Sequence, residues 1–280
     1  MKDNMTTKTT LVLGGTGKTG RRVAKRLTER GLSVRIGSRS GKPPFDWEDR
    51  ATWVPALHGV GSAYVSYYPD LAAPGAVEAV GSFAELAVAN GVRRLVLLAG
   101  RGEPEAELAE QAVRESGAEL TVVRATWFSQ NFSEGFFLDP VLSGEVVLPA
   151  GDMAEPFVDA DDIADVAVAA LTEDRHIGEL YELTGPRLLT FAEAVEEIAK
   201  ATGREIRYAP VPVDEFASAM AAQVPGEVIE LLTYLFTEVL DGRNAHLADG
   251  VQRALGREPR DFTDYARDAA ASGVWEGGSR

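Results

Sequence analysis

The chain has 280 residues, 45% of them hydrophobic and 25% charged, which is the composition of a folded globular protein and excludes long disordered tracts. A formal net charge of −15 argues against a general attraction to nucleic acid or anionic membrane, and the absence of cysteine excludes disulfides and thiolate metal sites. The polar start "MKDNMTTKTT" carries no apolar leader, so a cytoplasmic protein without nucleic-acid or membrane partners is expected.

Along the chain, short apolar runs alternate with longer helical patterns, which is the signature of β-α-β units and a parallel sheet. The first run, "TLVLG" (10–14), leads into glycines at 14, 17 and 20 and a helix over about 18–30 with Val23, Ala24 and Leu27 on its apolar stripe. Gly17-Lys18-Thr19 also resembles the end of a triphosphate loop. That loop needs a wider glycine spacing, and Val12, inside the strand, stands where its first glycine must be. The dinucleotide turn fits instead: Gly14 makes the turn, Gly17 lets backbone amides approach a pyrophosphate, and Gly20 lets the helix pack. Thr16, Lys18 and Thr19 join them as candidate cofactor contacts.

The next strand, "SVRIGS" (33–38), selects the cofactor. An NAD site usually carries an acid at this turn to take the ribose hydroxyls. Here Ser38 and Arg39 stand there, suited to a 2′-phosphate, so NADP(H) is favoured with NAD(H) as the alternative. The proline-rich stretch 39–61 is expected to hold a short third strand and then a helix near "ATWVPALHG", with Asp46 beside the adenine. "SAYVSYY" (62–68), fourth in that count, ends at Tyr67 and Tyr68, candidate hydrogen-bond donors to substrate. A helix over 74–90 precedes "RLVLLAG" (94–100), whose end at Ala99 and Gly100 belongs to the expected cofactor site. A helix over 104–116 and the strand "LTVVRA" (120–125) follow. In an open sheet, these carboxyl ends form the ligand crevice.

"WFSQNFSEGFF" (127–137) concentrates aromatic residues. Trp127 and Phe128 are expected to wall a flat substrate, Gln130 and Asn131 to donate hydrogen bonds to it, and Phe132 and Phe136 to pack in the core. "DADDIAD" (159–165) supplies capping and first-turn acids to a helix over 160–172, and no His/Asp/Glu spacing suggests a metal. "LYELTG" (180–185) closes the sheet. Beyond it lie a helix over 190–203, the strand-like "IRYAPVPV", and the helices "DEFASAMAAQ", "EVIELLTYLFTEVL" and "DFTDYARDAAASG". Phe236, on the second of these, is a further candidate substrate contact. The expected fold is a Rossmann-type doubly wound α/β domain over 1–185, a smaller, mainly helical substrate region over 186–276, and a tail over 277–280.

In this order, "LVLGGTGKTG", "VRIGSRS", "GVRRLVLLAGRGE", "SGAELTVVRATWFSQNF", "FVDADDIADVAVAALTE", "YELTGP" and "TGREIRYAPVPVDEF" resemble the NmrA-like branch of the atypical short-chain dehydrogenases/reductases. The resemblance implies an NAD(P)-binding protein, monomeric or homodimeric. The family includes azo-dye and quinone reductases, aromatic-polyketide tailoring reductases and non-enzymatic redox-sensing regulators. Ketone-reducing relatives use Tyr-x-x-x-Lys, yet none of the seven tyrosines here is followed by lysine at that spacing. Isoflavone-reductase-like relatives use a lysine in the helix matching 104–116, which has none. Quinone reduction demands less, because hydride yields a delocalised phenolate that hydrogen-bond donors and water can satisfy. The resemblance therefore implies an NADPH-dependent reductase of a small flat aromatic, such as an anthraquinone-type polyketide later hydroxylated by a separate oxygenase. The alternative is a regulator that senses NAD(P) without chemistry.

Overall fold

The computed structural model describes residues 8–221 and 224–276. The expected tail over 277–280 and the last two residues of "DEFASAMAAQ" lie outside the described residues. Strand β1 (Thr9–Leu13) feeds helix α1 (Lys18–Glu29), and β2 (Val34–Gly37) follows. The third strand expected between 39 and 61 does not form. Pro43 and Pro44 offer no amides to a ladder there, and Phe45 turns into the core at 3% exposure. The segment instead makes a 3-10 turn at Arg50–Thr52 and the short helix α2 (Trp53–Leu57). "SAYVSYY" is therefore the third strand, β3 (Val60–Val65), and both tyrosines lie beyond its end.

Helix α3 (Ala76–Ala89), β4 (Arg94–Gly100), α4 (Pro104–Glu115) and β5 (Glu119–Ala125) continue the alternation. Next come α5 (Asn131–Glu134), α6 (Leu138–Ser143), the short strands β6 (Glu145–Leu148) and β7 (Ala154–Glu155), then α7 (Ala160–Thr172) and β8 (Leu180–Leu183). The main sheet has the order β2-β1-β3-β4-β5-β8, with β1 parallel to both β2 and β3, and β4 parallel to both β3 and β5. Its strands read as apolar runs because helices cover both faces. Helix α1 packs on α7 and α3 packs on α4. The strand order reverses between β1 and β3, where open α/β sheets bind ligands outside the carboxyl ends.

Contacts divide the chain into two units, and not at residue 185. The first comprises residues up to Ala125, Ala160–Glu182 and Gly250–Arg257; the second comprises Thr126–Asp159, Leu183–Asp249 and the described residues from Glu258 onward. The later elements are β9 (Leu189–Thr190), α8 (Phe191–Thr202), β10 (Arg207–Pro210), α9 (Val213–Met220), α10 (Gly226–Tyr234), α11 (Gly250–Leu255) and α12 (Phe262–Ala271). Helix α11 belongs to the first unit and packs on α7. Gly250 permits this, because a Cβ there would overlap the backbone of Glu182 in β8.

The second unit holds the parallel pair β6–β10, the antiparallel pair β7–β9 and the packed helices α8 and α12. Helix α8 opens with a capping box: Glu193 N–H donates to Thr190 Oγ1 (3.1 Å) and Thr190 N–H donates to Glu193 Oε2 (2.8 Å). Among the described residues, no helix is long and apolar enough to cross a membrane.

Candidate active site

The turn between β1 and α1 is fixed by close backbone approach. Gly14 takes φ +62°, a left-handed conformation that favours glycine, and Gly17 N–H donates to its carbonyl at 2.8 Å. A Cβ at Gly20 would overlap that carbonyl and lie 2.9 Å from Gly15 Cα. Gly15 is also confined, since its Cβ would lie 2.9 Å from Ile36 Cγ2. Thr16 and Gly17 are exposed at the mouth of the turn, and Lys18 is half-buried. Helix α1 has glycine as its N-cap and no acid in its first turn, so its positive end carries no carboxylate of its own. This cradle fits a dinucleotide pyrophosphate. Thr19 is buried, and its hydroxyl accepts a hydrogen bond from Tyr64 at 2.9 Å. That bond ties α1 to β3.

At the end of β2, the Ser38 carbonyl accepts the amides of Gly41 and Phe45, both at 2.9 Å, and so closes a compact loop. Arg39 is exposed on it, with no ion pair among the described residues. Asp46 organises the segment that follows: its carbonyl accepts Trp53 Nε1 (2.8 Å), and its carboxylate accepts Glu48 N–H (3.1 Å). Phe45 and Trp47 join a ring cluster with Trp53 and Phe83.

Beyond β3, Ser66 abuts the glycine turn, its Cβ lying 3.3 Å from where a Cβ on Gly14 would be. Sequence reasoning missed Ser66, although its place just after a buried strand was a usable signal. Tyr67 packs against Trp47 with the rings tilted and their centroids 4.9 Å apart, and burial, with Glu48 nearby, raises its pKa. Tyr68 is 78% exposed. A raised phenol is a hydrogen-bond donor and a weak acid, the reverse of a lysine-activated tyrosine.

At the end of β4, Ala99 is buried, and a Cβ on Gly100 would fall inside the carboxyl group of Glu103, which would have to move aside. Glu103, the N-cap of α4, is only 6% exposed, and its Oε2 has no donor among the described residues. The Asp70 carboxyl, on the loop after β3, lies within hydrogen-bonding reach. Contact between two carboxyl groups is a hydrogen bond only if one carries a proton. Burial, the Asp70 charge and its hydrogen bond, and Glu105 together push Glu103 up to about 9. Burial raises Asp70 as well, but Asp70 accepts Ala72 N–H at 2.9 Å, which favours its anion over that of Glu103 and leaves the proton on Glu103. Neither acid was singled out from the sequence, where Glu103 before Pro104 looks like an ordinary capping residue.

The second unit holds the other expected site residues. Gln130 is 2% exposed and its amide donates to Asp159 Oδ1 at 2.7 Å, while Arg260 bonds the other oxygen at 2.9 Å. That network favours a framework role for Gln130 over a catalytic one. Asn131 begins α5 half-buried. Trp127 and Phe128 are half-buried, and Trp127 packs against Phe137, Phe191 and Phe236. Phe236 is 5% exposed in an aromatic core, in a π-helical turn at Leu235–Val239. Phe132 is core as expected, whereas Phe136 is 52% exposed and Phe137 takes the inward place.

Residues 107–266 match the NmrA-like family. The chain is 32% identical to an uncharacterized oxidoreductase of Bacillus subtilis, over 95% of this chain and 96% of that one. It is 28% identical to an NAD(P)H azoreductase of Xenophilus azovorans, over 94% and 98% of the two chains. In fold it is similar to an NADPH-dependent quinone oxidoreductase of Escherichia coli solved with NADPH: TM-score 0.73, 19% identity, 93% of this chain and 99% of that one.

Proposed function

The chain belongs to the NmrA-like family, and we propose that it is an NADPH-dependent reductase passing hydride to a quinone or related flat aromatic. The observation that carries the cofactor reading is the glycine turn at the β1/β3 reversal, beside a β2 end that offers exposed Arg39 and no acid. Gly14, Thr16, Gly17 and the start of α1 hold the pyrophosphate, with Lys18 beside it. Ser38 and Arg39 take the 2′-phosphate through charge-assisted hydrogen bonds. Ala99 and Gly100 border the nicotinamide. Bound NADPH supplies the hydride.

In each unit, the candidate substrate residues offer hydrogen-bond donors and ring faces and carry no strong acid. In the first unit Tyr67 and Tyr68 offer phenols; in the second unit, taken by itself, Asn131 offers an amide and the ring faces of Trp127 and Phe128 suit a planar molecule. This set suits a quinone, whose reduced oxygen spreads its charge, better than a ketone, whose alkoxide needs a matched acid. An anthraquinone-type polyketide, reduced before hydroxylation by a separate oxygenase, is the most specific form of this reading.

The test follows NADPH absorbance in the near ultraviolet as naphthoquinones and anthraquinones are added. Oxidation dependent on protein and quinone is expected. Tight NADPH binding with no turnover across the panel would sink the reductase reading and favour a dinucleotide sensor.

A further inference from the structure

Two acids, buried Glu103 and half-buried Asp70, stand at the carboxyl edge of the sheet, one after each of the neighbouring strands β3 and β4. Asp70 sits on the loop that carries Tyr67 and Tyr68. The Glu103 carboxyl lies where a Cβ on Gly100 would stand, so glycine there gives it room. Glu103 is 94% removed from solvent, yet its Oε2 has no donor among the described residues. Such an atom is costly unless it carries or receives a proton. The groups bearing on Glu103 are Asp70 and Glu105, both acids, while Asp70 has the amides of Ala72 and Leu71. The nearby guanidinium of Arg101 reaches Glu182 at 3.3 Å.

We propose that Asp70 and Glu103 share one proton and thereby clamp the loop after β3 to the turn after β4, holding this edge in the form that takes the nicotinamide cofactor. Glu103 donates the proton and Asp70 accepts it as the carboxylate. Loss of the proton leaves two anions facing each other, one of them buried, and the two segments separate. Glu103 is thus a positioning residue, and the proposal rests on the reading of this edge as the cofactor site.

The experiment measures NADPH affinity of the full chain by calorimetry from pH 6.5 to 9.5, in buffers of different ionisation enthalpy, for wild type and Glu103→Gln. A phosphate titrates near 6, so the alkaline half of this range is clear of the 2′-phosphate. Wild-type affinity should be level at neutral pH and fall by up to about tenfold per pH unit at the alkaline end, with uptake of one proton on binding. Glu103→Gln keeps a donor toward Asp70, so it should bind within a few fold of wild type at pH 7 and lose the alkaline fall. Glu103→Ala should bind weakly at every pH.

Melting temperature of the cofactor-free chain reads the clamp separately. Folding retains a proton on Glu103 that the unfolded chain releases above its ordinary value of 4.5. Wild type should therefore lose stability relative to Glu103→Gln as pH rises from about 5 to about 9. Tight NADPH binding that stays level to pH 9.5, or an alkaline fall that persists in Glu103→Gln, overturns the proposal. A melting difference without NADPH binding at any pH overturns the cofactor reading instead, and the clamp's purpose with it.

Discussion

The phenol of Tyr64 donates a 2.9 Å hydrogen bond to Thr19 Oγ1, and both residues are buried. This bond joins the first turn of α1 to β3, the strand on the far side of the order reversal. Burial also raises the Tyr64 pKa, so the phenol stays neutral and serves as a structural donor. Tyr64→Phe should cost about 1 kcal/mol, the net worth of one hydrogen bond, and lower the melting temperature by about 2–4 °C. An unchanged melting curve would remove this bond from the scaffold of the glycine turn.

Gly20 makes the sharper demand on the same turn. Alanine there would place its Cβ on the Gly14 carbonyl, and the obstruction is backbone that cannot swing aside. NADPH affinity should fall by at least about 100-fold, since both the pyrophosphate amides and the start of α1 would move. Gly31 is the control. At φ +74° with nothing within 4 Å, Gly31→Ala should cost roughly 1–2 kcal/mol of stability and leave NADPH affinity unchanged.

Arg39 is the residue on which the proposed preference for NADPH is tested. Its exposed guanidinium at the end of β2, with no competing ion pair among the described residues, is available for a phosphate. Hydrogen bonds to a charged group contribute about 1.5–3 kcal/mol, so Arg39→Ala should weaken NADPH by on the order of 10- to 100-fold while NADH binding barely moves. Equal losses for the two dinucleotides, measured by equilibrium titration, would take Arg39 out of the 2′-phosphate role.

The glycine turn and the exposed place of Arg39 were legible in the sequence because both are local features, each at a fixed spacing from an apolar strand. The strands themselves showed through because burial on both faces makes them continuous apolar runs. What stayed hidden depends on contacts between distant segments. Glu103 meets Asp70 only once β3 and β4 lie side by side, and before Pro104 it reads as a capping acid. Helix α11 returns to the first unit long after β8, docking through its packing on α7 and the close approach of Gly250 to Glu182. Phe136 and Phe137 illustrate another limit: adjacent aromatics give equal signals, and the turn into α6 decided which one faced inward.

In the second unit, Asp261 caps α12 by accepting Thr263 N–H at 2.8 Å and holds Arg187 through bonds of 2.8 and 3.0 Å. The Arg187 hydrogen bonds are the main reason its pKa drops from 3.8 to about 2. A depressed carboxyl contributes stability that is complete above its ordinary value and disappears as pH falls toward the folded value. Asp261→Asn keeps a cap but loses the charged fork, at a cost of about 1 kcal/mol after allowance for the exposure of Arg187. Urea unfolding should resolve that difference at pH 7 and find it nearly gone by pH 2. A difference of equal size at both pH values would mean that the fork adds nothing beyond the cap.

Trp127 and Phe236 pack together with ring centroids 5.1 Å apart, but they differ in what they have to offer a ligand. Phe236 is enclosed by the core, while Trp127 is half-buried and keeps part of its indole accessible. A residue that only packs should affect stability, and one that also presents a face should affect KM. Phe236→Leu should therefore cost about 1 kcal/mol of stability and leave KM for the quinone substrate within about twofold. Trp127→Phe keeps an aromatic ring against Phe137, Phe191 and Phe236 but shortens the face, so KM should rise several fold with a smaller change in unfolding free energy. The reverse pattern, KM moving with Phe236 and stability with Trp127, would place the substrate wall elsewhere among the aromatics of this unit.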